Sequence, residues 1–156
     1  MIKVVLKDGS VKEIEQGKLI IEVAKEISPS LAKKSLVGKL NGVLVDLKTP
    51  INEDSNLELV LIDDAEGLDV LNHSCAHLLA HAMKRLYPGT LFGVGPAIEE
   101  GFYYDFKVQE PIQLEDLPKI EEEMKKIVKE NISLNHYYMG KEEAKAKFAN
   151  DKFKCE

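Results

Sequence analysis

The chain has 156 residues, of which 44% are hydrophobic and 31% charged, a composition typical of a folded globular protein. Its formal net charge of −6 argues against nucleic-acid binding driven by bulk charge, but it does not exclude a local basic patch. The longest apolar runs, such as LVLI at residues 59–62, are too short to span a bilayer, and the beginning of the chain lacks a secretion signal. We therefore expect a cytosolic protein in which Cys75 and Cys155 are reduced thiols.

The first 62 residues predict a compact sheet wrapped over one helix. The pairs Asp8-Gly9 and Asn41-Gly42 each separate two strand-like runs, as in β-hairpins. Between these hairpins, residues 17–27 carry apolar side chains at the spacing of one helical face. The run NLELVLI, with alternating leucines, closes the unit as a strand. The order strand, strand, helix, strand, strand, strand predicts an α+β fold.

An acidic segment, residues 63–68, predicts the boundary to a second domain. A long helix is expected from Asp69, as its N-cap, to Tyr87, where Pro88-Gly89 ends it. The elements expected after this helix are two strands within residues 90–106 joined at 99–101, an amphipathic helix at 114–131, a strand at 133–139, a short helix at 141–150 and the start of a strand at 151–156. The expected inward face of the amphipathic helix is Leu117, Ile120, Met124, Ile127 and Val128. The sequence stops where another sheet element is expected, which suggests a piece of a longer protein.

The run HSCAHLLAH carries three histidines four residues apart. At about 100° per residue, His73, His77 and His81 fall within roughly 80° of one another, whereas Cys75 falls in an apolar stripe on the other side of the helix. We therefore expect Cys75 to be a packed thiol. Two histidines at this spacing can hold one zinc ion or one substrate group. Ser74 stands where zinc-protease helices carry a glutamate, which argues against that class. The pattern alone leaves open a ligand site or an ordinary solvated face.

Two longer stretches resemble one family. Residues 73–106 resemble the start of the editing domain, or second additional domain, of the bacterial threonyl-tRNA synthetases. They are more distantly similar to the editing domain of alanyl-tRNA synthetases. Residues 40–60 resemble the TGS domain, a small β-grasp module with a ubiquitin-like fold. Both occur in the order that this family uses. The resemblance implies a TGS domain at 1–62, a linker at 63–68 and the truncated N-terminal part of an α+β editing domain at 69–156.

The resemblance also implies a function. A synthetase for threonine must reject serine, and one missing methyl group is worth only about 1–3 kcal/mol of discrimination. A second pocket that admits serine and excludes the threonine methyl can hydrolyse the wrong ester. The protein is therefore expected to contribute to proofreading of Ser-tRNA(Thr), and to engagement of the tRNA acceptor arm, within a threonine–tRNA ligase. Two alternatives are a non-catalytic β-grasp interaction module and a free-standing aminoacyl-tRNA deacylase.

By resemblance, four side chains belong to the hydrolytic pocket. His73 is expected to hydrogen-bond the terminal ribose hydroxyl and to shuttle a proton, and His77 to orient the attacking water. Tyr104 would position the ester. Lys154 would anchor the substrate or help to activate water, with Lys152 as the alternative because the preceding loop is shorter than the family pattern.

The sequence departs from the family in one respect. The family completes the pocket with a downstream Cys-x-x-x-His element, whereas Cys155 is followed only by Glu156. We therefore expect no tightly bound metal and no cofactor in these 156 residues, since ATP, magnesium and a catalytic zinc ion would belong to the absent aminoacylation domain. His81 is left at the surface or in a supporting position. The expected partner is the acceptor end of tRNA(Thr), without a membrane. The parent enzyme would be a homodimer, and the isolated fragment would be a monomer, weak or inactive alone.

Overall fold

The computed structural model describes residues 1–151 and Lys154. It divides into two compact units, Met1–Leu71 and Asn72–Glu156. The strands of the first unit are β1 (Ile2–Leu6), β2 (Val11–Ile14), β3 (Lys18–Leu19), β4 (Ser35–Leu40), β5 (Val43–Val45), β6 (Pro50–Ile51) and β7 (Ser55–Leu61). Its helices are α1 (Ile20–Ile27) and α2 (Pro29–Lys34).

Five strands of the first unit form one mixed sheet in the order β2-β1-β7-β4-β5. Strands β1 and β7 pair in parallel, and the other neighbours in this sheet are antiparallel. The two predicted hairpins are present, with positive φ at Gly9 (82°), Asn41 (49°) and Gly42 (86°), conformations that glycine and asparagine adopt most readily. This sheet with its covering helix is the expected β-grasp architecture.

The core of the first unit lies between α1 and the sheet. Ile20 and Val23 of α1 are fully buried, and they cluster with Val4 of β1 and Leu57 of β7. The cluster is closed by Ile51 of β6, a short strand that the sequence did not predict. Burial of these aliphatic side chains is the main stabilising contribution to such a small unit.

Helix α1 has identifiable ends. At its start, the Glu22 carboxylate accepts a hydrogen bond from the Leu19 backbone N–H at 2.9 Å, which satisfies a donor that the helix leaves free. At its end, Ser28 is extended, because the residue before a proline disfavours the helical conformation. Pro29 then begins α2 as a first helical residue. Helix α2 was not predicted from the sequence.

Helix α3 (Ala65–Leu86) begins earlier than expected. The carbonyl of Asp64 accepts the Leu68 N–H at 3.0 Å, and the Asp64 carboxylate accepts the Leu61 N–H at 2.8 Å. The prediction of Asp69 as the N-cap is therefore wrong, and residues 65–68 of the expected linker form the first turn of the helix. The end of α3 was predicted to within one residue.

The second unit combines the remainder of α3 with short strands and two further helices. These elements are β8 (Leu91–Phe92), β9 (Ala97–Ile98), β10 (Gly101–Phe102), β11 (Phe106–Lys107), α4 (Leu117–Glu130) and α5 (Lys141–Lys147). Strand β9 pairs with β10 and β8 pairs with β11, both antiparallel. Each of the two predicted strands is thus broken into two short strands, and these four strands form two separate ladders. A single 3-10 turn, Leu114–Asp116, precedes α4.

Several expectations for the second unit differ from the structure. Residues 132–140 contain no regular secondary structure, so the strand predicted at 133–139 is wrong. In α4, Ile120 and Ile127 are buried as expected, but Leu117 and Val128 are 53% and 63% exposed. At about 100° per residue, both lie on one edge of the apolar face, away from Ile120 and Ile127. The strand predicted at 151–156 lies outside the described residues except for Asp151 and Lys154, and Lys154 is helical.

The core of the second unit is built from α3, α4 and the short strands. Its buried residues are Ala82, Met83, Phe92, Ile120 and Ile127. Cys75, expected in the buried stripe of α3, is only half-buried, since the fully buried positions of this helix are Ala76, Ala82 and Met83. Among the described residues, no helix has the length and apolar character to cross a membrane.

Candidate functional site

Helix α3 presents His73 and His77 one turn apart on an exposed face. Their Nε2 atoms lie 3.0 Å apart and their ring centroids 4.6 Å apart, with the planes inclined at 61°. In such a contact one nitrogen donates and the other accepts, so at least one of the two rings is neutral. The pair is therefore arranged to share a proton rather than to carry two positive charges.

The environment of His77 favours its neutral form. Burial lowers the pKa of His77 below the ordinary value of 6.5, and the neighbouring His73 and Lys154 lower this pKa further. A desolvated imidazole next to other cationic groups loses its proton more readily. At neutral pH, His77 is thus able to accept a hydrogen bond or a proton.

His77, Tyr104 and Lys154 line one groove of about 510 Å³, which we call the histidine groove. The same groove is also lined by Ala80, His81, Lys84, Arg85 and Phe92. His73 does not line the groove but contacts it through the ring of His77. Three of the four predicted pocket residues, separated by up to 77 positions in the sequence, are thus brought to one cleft.

The ring of Tyr104 is held firmly by its neighbours. It stacks on Phe106 with a centroid distance of 4.8 Å and an interplanar angle of 1°, and it meets Phe92 edge-on at 6.2 Å. The backbone of Gly95 lies directly against it, since a Cβ there would be 2.2 Å from Tyr104 Cδ2. Burial and the nearby Asp151 raise the pKa of Tyr104, so that its hydroxyl remains a donor.

Lys154 is exposed and lies beside two aromatic rings. Its Nζ atom is 5.0 Å from the centroid of Phe148 and 5.5 Å from that of Phe92, a geometry that orients an ammonium group. Its backbone N–H donates to the Asp151 carbonyl at 3.1 Å. The alternative residue, Lys152, lies outside the described residues.

The groove contains three further polar residues that the sequence did not single out as site residues. His81 is half-buried, and Lys84 and Arg85 follow it within one turn. The helical spacing of His81 and Lys84 from His77 could have indicated that they lie on the same face of α3 as His77. Arg85 is held by Glu130, with nitrogen–oxygen distances of 2.7 and 2.8 Å, and by Glu123 at 3.2 Å.

The donor set of the groove does not suit a metal ion. Within residues 1–151 and Lys154, no three side chains of histidine, cysteine, aspartate or glutamate converge on one point. His73 and His77 supply only two nitrogens, and Cys75 is half-buried on another side of the helix. Structural zinc sites use four protein ligands and catalytic sites three, so the described residues do not fit zinc.

The titration of His77 provides a direct check of this electrostatic arrangement. We expect its midpoint, measured by NMR on the imidazole ring protons, to lie below 6.5. Because Lys154 contributes to the lowered pKa of His77, Lys154→Ala should move the midpoint upward, whereas Lys129→Ala on α4 should not. A wild-type midpoint at or above 6.5 would contradict this arrangement.

The same shift has a consequence for stability. Since His77 has a lower pKa in the folded protein than in the unfolded protein, the unfolded state binds more protons when the pH falls through this range. The contribution of His77 to stability is therefore complete above the ordinary histidine pKa and is lost as the pH falls below it. Replacing His77 by glutamine should remove this part of the pH dependence, as measured by urea unfolding.

Comparison with known proteins extends over the whole chain. Residues 2–61 match the family model of the TGS domain. Threonine–tRNA ligase 1 of Bacillus subtilis is 54% identical over 149 residues, which are 96% of this chain and 23% of the relative. Threonine–tRNA ligases of Lactococcus lactis and Streptococcus sanguinis are 54% and 51% identical over 157 residues, covering 100% of this chain and 24% of each relative. The chain thus spans about a quarter of the length of the curated relatives it matches.

Proposed function

We propose that the protein is the N-terminal region of a threonine–tRNA ligase and contributes hydrolytic proofreading of Ser-tRNA(Thr). Two findings support this: residues 2–61 match the TGS domain, and nearly the whole chain is similar to bacterial threonine–tRNA ligases. The observation that carries the proposal is the histidine groove, in which His77, Tyr104 and Lys154 meet beside His73. The ligase would act in the cytosol, with the acceptor end of tRNA(Thr) as its partner.

Proofreading is needed because binding alone discriminates only weakly between serine and threonine. Serine lacks one methyl group of threonine, a difference worth about 1–3 kcal/mol in an apolar pocket. A second site that excludes the larger amino acid and hydrolyses the smaller ester removes the resulting errors. A groove of about 510 Å³ has room for a terminal nucleoside with a small aminoacyl group, since pockets for small molecules are about 300–1,000 Å³.

The reaction needs a water molecule, a proton acceptor and a proton donor. Water attacks the ester carbonyl carbon, the bond to the ribose oxygen breaks, and this oxygen takes up a proton. The neutral state favoured at His77 suits the orientation of the water, and the 3.0 Å contact with His73 gives the proton a route between the two rings. His73 would hydrogen-bond the neighbouring ribose hydroxyl and deliver the proton to the ribose oxygen that leaves the ester.

Tyr104 and Lys154 would position the substrate. The hydroxyl of Tyr104 remains protonated, because its pKa is raised, and can donate to the ester. The Lys154 ammonium, oriented by two aromatic rings, would anchor the aminoacyl group. Since the described residues do not fit a metal, no step of this chemistry runs through one. ATP, magnesium and zinc would serve aminoacylation in the remainder of the ligase.

Substitution of the pocket lysine tests the role assigned to Lys154. In the complete ligase, Lys154→Ala is expected to lower the rate of Ser-tRNA(Thr) hydrolysis by about 10²-fold or more, the scale of a lost catalytic or anchoring group. Lys152→Ala is the matched control and should leave the rate near that of the wild type. The measurement is single-turnover deacylation of preformed Ser-tRNA(Thr). Equal effects of the two exchanges, or a loss with Lys152→Ala only, would overturn the role of Lys154.

A further inference from the structure

A second groove adjoins the histidine groove. It has a volume of about 280 Å³, and we call it the lysine groove. Its polar lining residues are Lys84, Thr90, Lys147, Asn150, Asp151 and Lys154. The two grooves share Lys84, Phe92 and Lys154, so they meet along the last turn of α3. A ligand that fills the first groove can therefore continue into the second.

Among the residues that the structure describes, no carboxylate forms an ion pair with a lysine of this groove. Within the described part of the protein, Lys84 has no ion pair and no hydrogen bond of its side chain. Lys147 contacts the ring and hydroxyl of Tyr137, and Lys154 lies over two aromatic rings. The one acidic lining residue, Asp151, has a carboxylate oxygen that accepts the Phe92 N–H at 3.3 Å.

Some lysines of α4, by contrast, have carboxylate partners. On α4, Lys119 pairs with Asp116 at 3.2 Å and Lys125 pairs with Glu121 at 2.5 Å. The whole protein has a net charge of −6. Lys84, Lys147 and Lys154 nevertheless line one groove next to the predicted hydrolytic pocket. Such a local concentration of positive charge attracts an anionic ligand even on an acidic protein.

We propose that the lysine groove binds the phosphodiester backbone of the single-stranded RNA end whose terminal ester lies in the histidine groove. This inference rests on the proposed function and names a second part of the same substrate. Lys84, at the junction, would contact the first phosphate next to the terminal nucleoside, and Lys147 would contact phosphates further along the strand. Because Lys84 has no partner to give up among the described residues, it can bind a phosphate without breaking an ion pair.

Binding of an acceptor-stem hairpin RNA tests the proposal on the protein of 156 residues. The probe ends in the single-stranded 3′ overhang of tRNA(Thr), and its affinity is measured by fluorescence anisotropy over a series of salt concentrations. Lys84→Gln is expected to weaken binding several-fold and to reduce the slope of log K against log salt by about 0.7, the value for one phosphate contact to a single strand. Lys147→Gln should act in the same direction.

Lys129→Gln is the matched control, because Lys129 is also an exposed lysine in the last turn of a helix and its exchange alters the net charge equally. It should bind like the wild type. A hairpin without the overhang should lose the difference between Lys84→Gln and Lys129→Gln. The proposal is overturned by equal effects of the two exchanges, by a difference that persists without the overhang, or by no binding of the wild-type protein. Failure of the proposed function is seen separately, as absent ester hydrolysis by the complete ligase.

Discussion

Replacing His73 by alanine in the complete ligase is expected to reduce hydrolysis of Ser-tRNA(Thr) by about 10²–10⁴-fold, the usual contribution of one general acid–base group. The exchange removes the ring that contacts His77 at 3.0 Å and with it the route by which the proton returns to the ribose oxygen. Single-turnover deacylation of preformed Ser-tRNA(Thr) measures the loss, and aminoacylation with threonine should continue, because we assign it to another part of the ligase.

His136→Ala is the matched control for this exchange. His136 belongs to the same unit, contacts the ring of Tyr138 and lines neither groove. Its removal should leave deacylation unchanged. If His73→Ala deacylates as fast as His136→Ala, the proton route through the histidine pair is wrong.

Gly95→Ala is expected to destabilise the second unit by roughly 1–3 kcal/mol, the cost of an added methyl group in a well-packed place. The new Cβ would lie 2.2 Å from Cδ2 and 2.5 Å from Cε2 of Tyr104. The ring cannot simply turn aside, since it is stacked on Phe106 and meets Phe92 edge-on. Tyr104 must therefore leave its place, and hydrolysis of the ester should fall with it.

Gly140→Ala provides the comparison for this exchange. A Cβ at Gly140 would have no atom within 4 Å, and its φ of −65° suits any residue. Urea unfolding and single-turnover deacylation should therefore both remain near wild type for Gly140→Ala, whereas stability and rate should both decrease for Gly95→Ala. A Gly95→Ala variant with unchanged stability and rate would contradict the close packing of Tyr104.

The sequence was most informative where structure depends on neighbouring residues. The turns at Asp8-Gly9 and Asn41-Gly42 follow from the ease with which glycine and asparagine adopt positive φ. The end of α3 follows in the same way from Pro88 and Gly89. By contrast, a strand needs a partner, and the strand-like residues 133–139 have no ladder among the described residues. No local pattern reveals such a partner in advance.

The candidate site was only partly accessible to the same reasoning. The contact between His73 and His77 follows from their spacing of four on a helix. The meeting of His77 with Tyr104 and Lys154 depends on how distant parts of the sequence pack, and it was expected from family resemblance rather than from spacing. The roles of these side chains therefore remain predictions that the exchanges above can test.

The central claim is tested most directly by comparing two substrates on one protein. The complete ligase is mixed with preformed Ser-tRNA(Thr) or Thr-tRNA(Thr), and release of the amino acid is followed in a single turnover. The account predicts rapid hydrolysis of the seryl ester, slow hydrolysis of the threonyl ester, and loss of this difference when His73 and His77 are both replaced by alanine. Equal rates for the two esters, or a difference that survives the double exchange, would contradict it.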